Sequence, residues 1–175
     1  MIIIKRIQSN NPSYNYIERL LTSAFPEEER RDNQEQRLYT DLNSSFNCNL
    51  ISLKEEPIGV ITYWNLNELN FIEHFAIDPK YRSQGYGKMV LDTIKKQQEY
   101  PLVLEVEEPS DSISKRRIEF YQRCGFTLHN NPYLQPPYRE GNGWIPMKLM
   151  TYGEIDMEIM FEKIKKEIYT NVYKQ

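Results

Sequence analysis

The stretch that most limits what this chain can fold into is Asp78-Pro79-Lys80-Tyr81-Arg82-Ser83-Gln84-Gly85-Tyr86-Gly87-Lys88-Met89. It follows an apolar run of strand character, Leu69 to Ile77, and opens a segment in which Tyr86, Val90 and Ile94 fall one helical turn apart. Two glycines one residue apart permit tight turning and close approach of backbone to a ligand. Because the loop runs into a helix start, unpaired N–H groups and the dipole favour an anion there, most naturally a phosphate. Arg82 and Lys88 add positive charge. The next apolar run, Pro101 to Val106, completes a strand, loop, helix, strand crossover, so these two strands should run parallel.

Two phosphate-binding patterns fit poorly. A dinucleotide fingerprint needs a small residue at position 90, where Val90 stands, and a first glycine close to the strand, whereas Asp78 to Gln84 intervene; Glu105, 20 residues past Gly85, does fit. A Walker A loop is excluded because Gly87-Lys88 is followed by Met89 and Arg82 stands where the first glycine should be.

The rest of the chain alternates short elements. Ile2 to Ile7 reads as a strand, and Tyr14 to Phe25 as a helix started by Asn11-Pro12-Ser13. Pro26 followed by Glu27, Glu28 and Glu29 suits the first turn of a second helix running to about Leu42. Phe46 to Leu53 and Ile58 to Trp64 form an antiparallel hairpin across Lys54-Glu55-Glu56-Pro57, which makes a meander with Leu69 to Ile77. Beyond Val106, Asp111-Ser112 opens a helix that stops at Cys124-Gly125, and Phe126 to His129 is a strand. Asn131 to Tyr138 carries too many prolines for a central strand and is expected as an ordered aromatic loop. Trp144 to Thr151 resumes a strand. In the tail, Met157, Met160, Phe161, Ile164 and Ile168 repeat at steps of three and four.

At 175 residues the chain suits one domain, expected over residues 1–152, with 153–175 as its helical extension. Lys and Arg number 22 against 25 Asp and Glu, which argues against a nucleic-acid partner. No segment approaches ~18 apolar residues, and Met1-Ile2-Ile3-Ile4-Lys5 is too short for a signal-peptide core, so no membrane partner and a cytoplasmic location are expected. Cys48 and Cys124 should be reduced and buried; with His74 and His129 they match no metal spacing.

Arg82-Ser83-Gln84-Gly85-Tyr86-Gly87 after Phe75-Ala76-Ile77-Asp78-Pro79 resembles the acyl-CoA signature of the GCN5-related N-acetyltransferase (GNAT) family, Gln/Arg-x-x-Gly-x-Gly/Ala. Phe120-Tyr121-Gln122-Arg123-Cys124-Gly125-Phe126 is similar to that family's aromatic-Tyr-x-x-x-Gly-Phe segment, and the element order from residue 1 to about 150 matches as well. The resemblance implies an α/β fold with a six- to seven-stranded, mostly antiparallel sheet containing one parallel crossover pair. It also implies acetyl-CoA as donor, held by Phe75, Ala76, Ile77, Arg82, Ser83, Gln84, Gly85, Tyr86, Gly87 and Lys88. The implied activity is direct acetyl transfer to a primary amine in a ternary complex; the alternative is a non-catalytic acyl-CoA sensor. Where family members often have Asn and Ala, seven and four residues before the tyrosine, this chain has Ser114 and Arg117.

An amine of pKa ~10 must lose a proton before it attacks. By strand alternation Phe71, Glu73, Phe75 and Ile77 share one face, and Glu73, an acid among apolar neighbours at a position where many GNAT members carry glutamate, is the first candidate base; Glu105, His74 and water are the others. The departing thiolate has a conjugate acid of pKa ~8.5, and Tyr121 matches the family position for the group that protonates it. Backbone N–H near Phe75 to Ile77 would meet the oxyanion. The acceptor regions implied by the family are Phe25 to Arg31 and Tyr133 to Arg139, with Phe25, Glu28, Glu105, Tyr133 and Tyr138 as candidate contacts. A small-molecule or peptide amine is the expected acceptor. The apolar stripe of the last helix either caps the core or joins a second copy as a homodimer.

Overall fold

A computed structural model describes all residues, Met1 to Gln175. The chain divides into two compact units, Met1–Asn65 with Ile72–Gln97, and Leu66–Phe71 with Gln98–Gln175. In the first unit, strands β1 (Ile2–Arg6), β2 (Phe46–Leu53), β3 (Glu56–Asn65) and β4 (Asn70–Ile77) lie in that order. β1 pairs antiparallel with β2, Ile4 opposite Ile51, and β2 with β3, Leu50 opposite Val60. Helix α1 (Tyr14–Ala24) packs on β3, α2 (Asn33–Leu42) on β2 and α3 (Tyr86–Gln97) on β1. Ile17, Phe46, Ile51, Ile61, Trp64, Leu91 and Ile94 are closed off from solvent. Each such side chain contributes about 1.5–3 kcal/mol by leaving water.

Strand β4 is shared. Its first residues, Asn70 and Phe71, fall in the second unit, where Asn70 N–H donates to the Pro101 carbonyl at 2.8 Å and β4 runs parallel to β5 (Leu102–Glu107). There the order continues β5, β8 (Ile145–Tyr152), β6 (Thr127–Leu128), with β7 (Tyr133–Gln135) also on β8. Every pairing of β8 is antiparallel, with Glu105 opposite Leu149 and Tyr133 opposite Met147. Helix α4 (Ser112–Arg123) packs on β5 and β6, and α5 (Met157–Ile168) passes into a π-helical turn, Tyr169–Tyr173. The eight strands thus make a mostly antiparallel sheet with one parallel pair, as the crossover at the glycine loop requires. No helix is long and apolar enough to cross a membrane.

Three expectations need correction. The second helix is not continuous from Pro26: Glu27–Glu29 form one 3-10 turn, Arg30 is extended, and Asp32 restarts the chain by accepting from Glu35 N–H at 2.8 Å, which sets the start of α2 at Asn33. The physical reason is Arg31, whose side chain leaves the helical path to be buried. The hairpin turn is tighter than Lys54 to Pro57, because Lys54 adopts φ 58 and Glu56 already belongs to β3. The proline-rich segment is not all loop: Tyr133–Gln135 pair with β8 on a single side, where prolines outside the three residues cost no ladder bond.

Candidate active site

In the first unit, β4 delivers the chain into the glycine loop through a chain of local bonds. Asp78 caps a 3-10 turn, Pro79–Tyr81, by accepting from Lys80 N–H at 3.0 Å, while its own N–H reaches the Ile58 carbonyl at 2.9 Å. Arg82 Nε donates to the Ile77 carbonyl at 2.9 Å, and Gln84 Nε2 to the Lys80 carbonyl at 3.3 Å. These side chains fold the loop back onto the end of β4. Ser83 at φ 62 and Gly85 at φ 81 then turn the backbone through the left-handed region, which glycine takes without a Cβ penalty. Met89 N–H donates to the Gly85 carbonyl at 3.1 Å, so α3 begins at once. The N–H groups of its first turn, Tyr86 and Gly87 among them, have no acceptor within the helix and present the positive end of its dipole. Lys88 does not stand alone as an anion ligand, since its Nζ is 2.5 Å from Asp92 Oδ2.

Gly59 on β3 determines how closely the strand can approach. A Cβ there would lie 2.6 Å from the Ala76 carbonyl oxygen, 3.0 Å from Ile77 Cδ1 and 3.2 Å from Ile51 Cδ1. The end of β4, Ala76 and Ile77, is therefore seated against a residue without a side chain, a requirement that a lone glycine inside an apolar run does signal in sequence.

Glu73 lies on β4 as alternation predicts, but its surroundings are not only apolar. Arg31 Nη1 is 2.6 Å from Glu73 Oε1, with both side chains 1% exposed, and Trp64 Nε1 donates to Oε2 at 3.2 Å. The guanidinium sits over the rings of Tyr39 at 4.5 Å, Trp64 at 5.4 Å and Phe46 at 5.8 Å. A buried carboxylate is thus matched by a buried cation, which itself rests on aromatic faces. Sequence reasoning missed Arg31, which looks like an ordinary residue of a charged run. His74 is packed: its Nε2 lies 2.9 Å from the Glu29 carbonyl, to which it can only donate, and Nδ1 lies 3.4 Å from Thr62 Oγ1. Burial holds its pKa below 6.5. Phe25 stacks edge-on against this imidazole at 4.6 Å, whereas Glu28 is exposed.

In the second unit, α4 carries Tyr121. The helix begins with a capping box in which Asp111 accepts from Ser114 N–H at 2.8 Å and Ser114 Oγ receives the Asp111 N–H at 3.2 Å. Arg117 pairs with Glu107 on β5. The two departures from the family pattern, Ser114 and Arg117, are therefore both engaged in seating α4. Gly125 at φ 85 ends the helix, and Phe126 N–H donates to the Tyr121 carbonyl at 3.0 Å. The Tyr121 ring contacts Phe126 at 5.6 Å, its hydroxyl has no hydrogen-bond partner, and burial pushes its pKa up to about 12. Such a phenol keeps its proton at neutral pH.

Glu105 on β5 forms a separate cluster. Tyr133 Oη donates to Oε1 and Tyr173 Oη donates to Oε2 at 2.6 Å. The Tyr138 ring lies 4.9 Å from that of Tyr173, and Tyr169 is 5.7 Å from Tyr133. Burial and the neighbouring carboxylate hold the Tyr133 and Tyr173 hydroxyls protonated well above the usual range. The structure thus joins three sequence candidates, Glu105, Tyr133 and Tyr138, through a fourth residue, Tyr173, that no motif marks.

Comparison with known proteins places the chain in a family. The acetyltransferase (GNAT) family model matches residues 14–126. The fold is similar to a GNAT-family protein of Bacteroides thetaiotaomicron, 44% identical with TM-score 0.94 over 98% of each chain. It is also similar to an aminoglycoside 6'-N-acetyltransferase complexed with coenzyme A, 16% identical with TM-score 0.64, covering 88% of this chain and 99% of that one. A segment is 33% identical over 79 residues to YrkN of Bacillus subtilis (strain 168), which covers 41% of this chain and 42% of that protein's length. With the family pattern spanning the glycine loop and the Tyr121 segment, this chain belongs to the GNAT acetyltransferase family.

Proposed function

We propose that the protein transfers an acetyl group from acetyl-CoA to a primary amine by direct attack. The observation that carries this reading is the loop from Asp78 to Gly87. Its side chains are folded back on the end of β4, and its two left-handed residues aim the first turn of α3 outward as an anion site. The coenzyme A bound by the aminoglycoside acetyltransferase of the same fold supports a pyrophosphate as the anion.

The amine nitrogen forms a bond to the thioester carbon, the C–S bond breaks and the sulfur leaves as thiolate. Backbone N–H groups of Phe75 to Ile77 meet the oxyanion. Tyr121, protonated and without a hydrogen-bond partner, supplies a proton to the thiolate. Glu73 takes the proton of the amine through water, its carboxylate held in one orientation by Arg31 and Trp64. Glu105 with Tyr133 and Tyr138 receives the positive charge of the acceptor, the aromatic rings adding cation–π attraction.

Calorimetric titration with acetyl-CoA, with NAD and ATP as controls, tests the donor assignment. Micromolar binding of acetyl-CoA alone is expected; equal binding of ATP or none of acetyl-CoA would overturn it. Release of CoA thiol in the presence of amines then tests the transfer, and an acyl-CoA sensor would bind without releasing thiol.

A further inference from the structure

We propose that the hollow between the start of α5 and the turns that precede β4 and β5 binds a small organic cation with an apolar body.

Three turns of the second unit shape this hollow. Before β4, Leu66 N–H donates to the Leu69 carbonyl at 2.9 Å and closes a turn on which Asn67 and Glu68 are exposed. Asn70 N–H reaches the Pro101 carbonyl at 2.8 Å, which brings that turn beside the start of β5. After β8, Gly153 at φ 101 passes so close to Pro101 that a Cβ would stand 3.2 Å from the proline Cα. Asp156 then caps α5, accepting from Glu158 N–H at 3.0 Å and from Ile159 N–H at 3.3 Å. Between these turns lies a cavity of about 330 Å³. Small-molecule sites span roughly 300–1,000 Å³, so one compact guest fits. Pro101 stands just before β5, and Glu105 lies about 13 Å further along that strand at 3.3 Å per residue, so the hollow is separate from the tyrosine cluster at Glu105.

Floor and rim differ in character. Leu69, Pro101, Ile155, Met160 and Ile164 offer hydrocarbon, which favours a guest that also needs to leave water. The rim carries Glu68, Glu154, Asp156 and Glu167 against a single cation, Lys163. Lys163 is taken up by pairing with Glu68, and the charge of Asp156 meets the first N–H groups of α5. Two carboxylates remain uncompensated. Glu167 accepts from Asn67 Nδ2 at 2.9 Å on Oε1 and from Asn171 Nδ2 at 3.2 Å on Oε2, and neutral amides orient a carboxylate without cancelling its charge. Glu154 is exposed and has no hydrogen-bond or ion-pair partner. An anion would be repelled by this rim, and a neutral apolar guest would leave it unused. A cation with a hydrocarbon body uses floor and rim together.

The test is a titration with benzyltrimethylammonium, followed by NMR of protein with isotope-labelled methionine methyl groups. The nitrogen of this probe carries neither proton nor lone pair, so it cannot be acetylated. Met160→Leu assigns the signal of the methionine that lines the hollow. Expected is a saturable movement of the Met160 signal with benzyltrimethylammonium and none with phenylacetate, which has the ring and the opposite charge. Kd should rise about tenfold in Glu154→Gln/Glu167→Gln. Glu154 holds nothing in place, and glutamine at 167 keeps an oxygen for an asparagine donor, so the unfolding temperature of this variant should stay near the parent's. A Met160 signal that does not move, equal movement with phenylacetate, or an unchanged Kd in the double variant would each overturn the proposal. A signal that moves with protein concentration in the absence of any probe would assign the hollow to a second copy of the chain and overturn it as well. None of these readouts involves acetyl transfer, so failure here leaves the transferase reading standing.

Discussion

Gly59→Ala is the sharpest test of how the end of β4 is seated. The added Cβ would stand 2.6 Å from the Ala76 carbonyl oxygen. Carbon-to-oxygen contacts in sheets lie near 3.3–3.6 Å, so about 0.7 Å of overlap must be relieved. The offending atom is backbone, not the end of a flexible side chain, and Ile51 beside it is fully buried. Overpacking of this kind costs about 1–3 kcal/mol, while replacing glycine by alanine returns up to about 1 kcal/mol through the unfolded chain. A net loss of about 1–2 kcal/mol remains, and for a chain of this length each kcal/mol shifts Tm by roughly 2–4 °C. The strand that must move is the one carrying Phe75, Ala76 and Ile77. Acetyl-CoA affinity should therefore fall together with stability, which scanning calorimetry and isothermal titration would read on the same sample. A Gly59→Ala protein that melts at or above the parent temperature and binds acetyl-CoA equally well would show that the close approach of β3 to β4 constrains nothing.

Three other outcomes are expected. Tyr121→Phe should lower kcat by about 10²–10⁴ with little change in acetyl-CoA binding, and stopped-flow thiol release at full rate would remove the acid role. Arg31→Met should destabilise by about 3–5 kcal/mol in urea, because it leaves the Glu73 carboxylate buried without its cation; a loss under 1 kcal/mol would mean that water replaces the guanidinium freely. Burial holds the His74 pKa below 6.5, so the unfolded chain takes up a proton that the folded one refuses. Stability is then complete above pH 6.5 and falls as the medium is acidified, and His74→Gln should flatten the fall in urea midpoint between pH 7.5 and 5. His129, also shifted down by burial, should add to the same fall.

Where the sequence was informative, the reason was local. The crossover could be read because glycine, capping aspartate and periodic apolar residues act within a few positions of one another, and α3, β5 and α4 lie close to where those signals put them. The turn of the glycine loop into α3 was legible for the same reason. The break between Glu29 and Asn33 was hidden because helix-start acids and a run of polar residues look alike until a distant strand claims Arg31. The aromatic loop concealed β7, since three residues gain their strand character from β8 and not from their own propensity. Tyr173 was invisible because its meaning depends on the phase of a π turn, which apolar periodicity does not record. Alternation did place Glu73 on the right face of β4, yet not the cation that meets it.

The Arg31–Glu73 pair also governs how this chain can vary over descent. Either residue changed alone leaves a stranded charge under three aromatic rings, so single replacements should be purged. Only lineages that altered both together could leave the ancestral state, and among relatives these two distant positions should therefore be inherited as one character, with Tyr39, Phe46 and Trp64 free to drift only after the guanidinium is gone.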